Sequence, residues 1–155
     1  MSTKFTSESL SLPLARETAA LTERIMARLC HQLSDQGFEM ITPSALIFLS
    51  KLDCSDAIAS VLARELGVSR QRIAKTVKDM KQAGYVEQEV GIGKRKSLSL
   101  TEKGRRVTLS ARRLFSELDQ AIVSTDPSIR LSETLESVRQ LDAVMADLNA
   151  KDQIS

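Results

Sequence analysis

The chain has 155 residues, 42% apolar and 27% charged. That is enough for a core needing neither metal nor disulfide, and no stretch approaches the roughly 18 apolar residues of a membrane span. The net charge of +2 is unevenly spread: residues 57–106 carry 12 Lys/Arg against 5 Asp/Glu, residues 1–56 carry 5 against 7, and residues 107–155 carry 5 against 8. A basic middle third between acidic flanks is what a DNA-binding segment would give, the bland alternative being chance clustering on a solvated surface.

Aromatics make up 3% of the chain, with no Trp and one Tyr. Small and aliphatic side chains must fill the core, which suits packed helices better than a β-sandwich. The two cysteines, Cys30 and Cys54, are too few for a disulfide framework and form no ligand cluster. The opening MSTKFTSESLSLPL lacks the apolar run of a signal peptide. The expectation is a reduced, cytoplasmic protein with no cofactor, no metal and no membrane contact.

In chain order, Leu14, Leu21, Ile25, Leu29 and Leu33 keep one face of a long helix apolar from Pro13 to about Ser34, and Gly37 suits its left-handed end. Thr42-Pro43 reads as an N-cap and first helical residue. The helix that follows is apolar nearly all round (Ala45, Leu46, Ile47, Phe48, Leu49, Leu52) and is expected to be buried. Asp53-Cys54-Ser55 interrupts it. A third helix runs from about Asp56 to Leu66 and stops at Gly67; Ser69 caps a fourth, which runs to about Ala83 and stops at Gly84.

Val86–Val90 and Ser97–Leu100 alternate apolar and polar residues as half-buried strands do. Gly91-Ile92-Gly93 and the basic tip Lys94-Arg95-Lys96 join them into a hairpin. Thr101 and Glu102 open a long helix to about Ser124, striped by Val107, Ala111, Leu114, Leu118 and Ile122. After a break at Asp126-Pro127, a last helix carries Leu131, Leu135, Val138, Leu141, Met145 and Leu148. The fold class is therefore mainly α with a small β-hairpin: a winged helix-turn-helix core plus long helices. It is expected as one domain over 1–155, with a DNA-binding region at 42–104 flanked by helical regions at 10–36 and 105–150.

The sharpest motif is ARELGVSRQRI, residues 63–73. Ala63 is small where two helices cross, Gly67 allows positive φ in the tight turn, and Ile73 packs the second helix onto the first. At 100° per residue, Ile73, Val77 and Met80 fall within about 60° and face the core. Gln71, Lys75, Lys78 and Gln82 lie opposite, Arg72 and Thr76 flank them, and Arg70 stands at the N-terminal end, with Asp79 the one acid on this face. Arg and Lys read guanine O6/N7 and Gln reads adenine N6/N7 in the major groove, usually from the N-terminal part of such a helix. Gln71, Arg72 and Lys75 are the candidates for base edges. Arg70, Thr76 and the amides near Ser69 are the candidates for phosphate. The alternative is a solvated helix face.

The tip Lys94, Arg95 and Lys96 sets three cations side by side. They repel one another in solution and are favourable against a minor groove or phosphate rail.

These residues resemble the MarR-type winged-helix regulators. The matching pieces are Thr42-Pro43, LARELGVSRQRIAKTVKDMKQAGYV (62–86), whose Ala-Gly-Tyr-Val leads into the wing, and LTEKG (100–104), which leaves it. Many members carry an Asp before the wing arginine. The stretch Gly91–Lys96 holds no acid, so no one of Lys94, Arg95 and Lys96 is singled out for the groove.

The resemblance implies a two-fold dimer intertwined through both ends of the chain, consistent with stripes longer than one small domain needs. Leu14, Leu21, Ile25, Leu135, Val138, Leu141 and Met145 are the candidate dimerisation residues. The alternative is that these helices fold back on their own core. A two-fold dimer calls for a pseudo-palindromic site. The resemblance also implies repression as the commoner outcome, and a small-molecule effector for which the sequence holds no signature.

Cys30 has His31 and Arg28 nearby, which invites a redox-sensing hypothesis; the alternative is a small buried hydrophobe. No nucleophile-base-orienter set is legible, and Gly91-Ile92-Gly93 lacks the further glycine and strand-to-helix setting of a phosphate loop, so an enzyme is not expected. The stronger rival is a winged helix used for protein contact, with incidental DNA affinity.

Overall fold

The computed structural model describes residues 9–53, 58–90 and 96–152. Among them lie α1 (Ser11–Asp35), α2 (Pro43–Leu52), α3 (Ala59–Glu65), α4 (Arg70–Gln82), β1 (Val86–Val90), β2 (Lys96–Leu100), α5 (Glu102–Thr125) and α6 (Leu131–Asp152). The chain divides into two compact units, Met1–Arg112 and Arg113–Ser155, the boundary falling within α5.

In the first unit, the start of α2 and the end of α3 follow from local chemistry. The Thr42 hydroxyl accepts the Ala45 N–H at 3.1 Å, and Pro43 occupies the first helical turn of α2, where its missing N–H costs nothing. Gly67 closes α3. Its N–H donates to the Arg64 carbonyl and the Val68 N–H to the Ala63 carbonyl, at 3.2 and 2.9 Å. This geometry requires the positive φ of +62° found at Gly67. α3 begins at Ala59, later than the expected start near Asp56. Cys54, Ser55 and Asp56 lie outside the described residues.

The core of this unit is aliphatic, as the composition implies. Leu29 and Leu33 of α1, Phe48 and Leu49 of α2, Leu62 and Ala63 of α3, and Ile73, Val77 and Met80 of α4 are buried with Tyr85, Leu98, Leu100 and Val107. One expectation needs correcting: α2 is not buried all round. Ile47 is 44% exposed while its neighbours Leu46, Phe48 and Leu49 are covered, because α2 leaves one side to solvent beside α4. The two strands pair antiparallel, Val86 with Leu100 and Val90 with Lys96.

The joint between α4 and α5 is tied by side-chain hydrogen bonds. The Thr101 hydroxyl donates to the Gly84 carbonyl at 2.6 Å and accepts the Gly104 N–H at 3.1 Å. The Lys103 ammonium donates to the Ala83 carbonyl at 2.7 Å and lies 4.5 Å from the centre of the Tyr85 ring. Gly104 packs so closely that a Cβ there would collide with the Tyr85 carbonyl oxygen. Tyr85 is fully buried and its hydroxyl donates to the Glu39 carbonyl at 2.7 Å, tying the joint to the loop before α2. Burial, then the Glu39 carboxylate, push its phenol above the ordinary value, which keeps it a neutral donor.

The second unit holds the rest of α5 and the whole of α6. α5 ends at Thr125, where the Asp126 carboxylate accepts from both the backbone N–H and the hydroxyl of Ser128. Those two bonds hold the Asp126 carboxyl below its usual value and form the turn into α6. No residue of α6 is buried. Among the described residues, no helix is long and apolar enough to cross a membrane, and no group of three or more His, Cys, Asp or Glu is placed to hold a metal ion.

Candidate nucleic-acid interface

α4 is amphipathic in the sense expected. Its core face of Ile73, Val77 and Met80 is buried, and Arg70, Gln71, Arg72, Lys75, Lys78 and Gln82 are exposed. The Ser69 hydroxyl accepts the Arg72 N–H at 3.1 Å, so Ser69 is the helix cap. Thr76 is half-buried and donates its hydroxyl to the Arg72 carbonyl at 3.1 Å. The exposed face thus brings together Arg70, Gln71, Arg72 and Lys75, with the Ser69 cap at its N-terminal end. Lys96 is exposed at the start of β2; Lys94 and Arg95 lie outside the described residues.

Two features were not among the candidates. Arg64 on α3 shares a shallow, mostly polar hollow with Ser60 and Arg70, so two guanidinium groups stand across the helix-turn-helix turn. An Arg one turn before the Gly in ARELG was the available signal. The other is an ion pair at 3.3 Å from the Lys75 ammonium to the Asp79 carboxylate, whose spacing of four was legible in the sequence.

The helices expected to dimerise present the opposite character. Leu135, Val138, Leu141 and Met145 are 49, 44, 46 and 52% exposed, and Leu14 and Leu21 are likewise exposed, with Ile25 half-buried. Cys30 is half-buried on α1. Burial pushes its thiol above the ordinary value, opposite to what a reactive thiolate needs. His31 pairs instead with Asp35, at 3.1 Å. Cys54 lies outside the described residues.

A helix-turn-helix with a two-stranded wing and a cationic, amide-bearing outer face defines a winged-helix protein of the kind that docks on nucleic acid. Residues 41–97, from the edge of α2 to the second strand, match the model described as the MarR family. Among solved structures, a MarR family transcription regulator aligns with a TM-score of 0.75 and 20% identity, over 90% of this chain and 92% of the other. MepR of Staphylococcus aureus, solved with DNA, aligns with a TM-score of 0.70 and 15% identity, over 90% and 99%. Streptococcus pneumoniae FabT, also solved with DNA, aligns with a TM-score of 0.70 and 16% identity, over 90% and 98%. At these identities the likeness is one of fold. No curated protein sequence matches the chain significantly. Over residues 41–97 the chain is similar to the MarR family, and its fold is the winged helix-turn-helix fold that these solved regulators share.

Proposed function

We propose that the protein is a dimeric, cytoplasmic repressor that binds a pseudo-palindromic operator, reading the major groove with residues 69–83 and touching the minor groove or backbone with the wing at 91–97. The observation that carries this reading is the outer face of α4, where Arg72 and Lys75 stand exposed one turn apart beyond the capped N-terminus. In such helices the N-terminal residues meet base edges. Gln71, Arg72 and Lys75 take bases; Arg70, Thr76, Lys94, Arg95 and Lys96 take phosphates or the minor groove. MepR and FabT, which share the fold, were solved with DNA, and that supports DNA as the partner here.

The apolar stripe of α6 and the exposed Leu14 and Leu21 of α1 support a second copy of the chain as their cover. Two copies related by a two-fold axis set two recognition helices about one DNA turn apart. A small-molecule effector would act by favouring another spacing of those helices.

The test is selection of bound fragments from sheared genomic DNA at about 0.15 M salt, where non-specific affinity is already weakened. An inverted repeat is enriched by the wild type and lost with Arg72→Ala/Lys75→Ala. Each single substitution weakens operator binding by roughly 1–3 kcal/mol. No enrichment above the double variant would overturn the reading and favour a winged helix used for protein contact.

A further inference from the structure

Asp79 is out of place by every local criterion. It sits in the last turn of α4 (Arg70–Gln82), where the helix dipole disfavours an acid. Lys75 precedes it by four residues, the less favourable order for a helical ion pair. The pair is open to water, Lys75 being 79% and Asp79 35% exposed, so it adds little to stability. A carboxylate on a face that must approach a polyanion also costs binding. Yet Asp79 shares one hollow, of about 420 Å³, with Arg72, Lys75 and Thr76, among the residues offered to DNA.

We propose that Asp79 is a positioning residue that sets specificity through Lys75. A lysine ammonium has three N–H donors. With one held by Asp79, two remain, matching the two acceptors, O6 and N7, that guanine shows in the major groove. Held this way, the flexible Lys75 stem is kept over the groove floor and away from the phosphate rails. The carboxylate offsets part of the attraction that any DNA sequence would exert. Asp79 thereby trades general affinity for a preference at one G·C pair. This rests on the reading of α4 as the base-reading helix.

The experiment measures binding of the selected operator, and of a random duplex of equal length, across a range of salt. The proteins are the full-length wild type, Asp79→Asn, Asp79→Glu, Lys75→Met and Asp79→Asn/Lys75→Met. Asp79→Asn is expected to tighten random-duplex binding and lower the operator-to-random ratio by about fivefold. Its salt slope on the random duplex steepens by about one as the freed ammonium takes a phosphate. The lost preference falls on one guanine position of each half-site. Asp79→Glu, which can still reach Lys75, keeps the wild-type ratio. In the Lys75→Met background, Asp79→Asn leaves the ratio unchanged. An unchanged ratio in Asp79→Asn overturns the proposal while leaving α4 as the reading helix. An equal fall in both backgrounds also overturns it, because that is the effect of net charge alone. A wild type with no operator preference overturns both this and the reading it rests on.

Discussion

α4 and α6 carry apolar stripes of similar helical spacing and meet opposite fates. Ile73, Val77 and Met80 on α4 are at most 8% exposed, whereas Leu135, Val138, Leu141 and Met145 on α6 remain about half exposed. The pattern of a stripe says that something will cover it; only burial within the chain says whether the chain itself supplies the cover. α4 buries its apolar face in its own domain and leaves its polar face in solvent. α6 keeps its polar face in water and leaves the apolar one about half open, the character that the proposed dimer accounts for.

The two stripes therefore respond differently to mutation, and the largest effect lies on the covered side. Phe48 of α2, fully buried in the core that also takes the α4 stripe, loses transfer energy and leaves a cavity when cut to Ala; urea unfolding should show a loss of about 3–5 kcal/mol. On the open side, Val138→Glu/Leu141→Glu should leave the fold of the winged helix intact. It should weaken the dimer by about 3 kcal/mol or more, since two unpaired charges from each copy would enter an apolar interface. Sedimentation should show the wild type as a dimer and the variant as a monomer. A wild type that sediments as a monomer would break the comparison, because α6 would then need a cover other than a second copy.

Most of the winged helix is legible in the sequence because its signals are local. The cap at Ser69, the turn at Gly67 and the Ile73-Val77-Met80 face act within a few residues of chain, and each appears where expected. What was not legible depends on approach over distance. The Tyr85 hydroxyl reaches the Glu39 carbonyl, 46 residues away, and no periodicity encodes that contact. Ile47 looks as apolar as its neighbours and is exposed because of where α4 lies. The proposed site is partly legible: the exposed cations of α4 follow from helix geometry, whereas the pairing of Lys75 with Asp79 depends on side-chain rotamers that residue spacing does not fix.

A smaller effect sharpens the contrast at the joint. Gly104 lies in the first turn of α5, where glycine is ordinarily a liability against alanine by about 1 kcal/mol. Here Gly104→Ala should destabilise, because its Cβ meets the Tyr85 backbone and overpacking of this kind costs about 1–3 kcal/mol. The same change should also reduce operator affinity, since it shifts the end of α4 relative to α5. A thermal melt at or above the wild-type midpoint would show that the joint yields.

The smallest effects come from two hydroxyls near helix starts, one in each unit. Ser69 accepts the Arg72 N–H, an amide with no partner within the first turn of α4, so Ser69→Ala should cost about 1 kcal/mol in unfolding. Thr134 in α6 donates to the Arg130 carbonyl, which already accepts the Thr134 N–H at 2.9 Å. Its hydroxyl therefore satisfies nothing that the backbone leaves open, and alanine is the better helix former. Thr134→Ala should stay within about 0.5 kcal/mol of wild type. Equal costs at the two positions would mean that Thr134 has a partner supplied on dimerisation, and repeating the melts across protein concentration would separate that case from a local one.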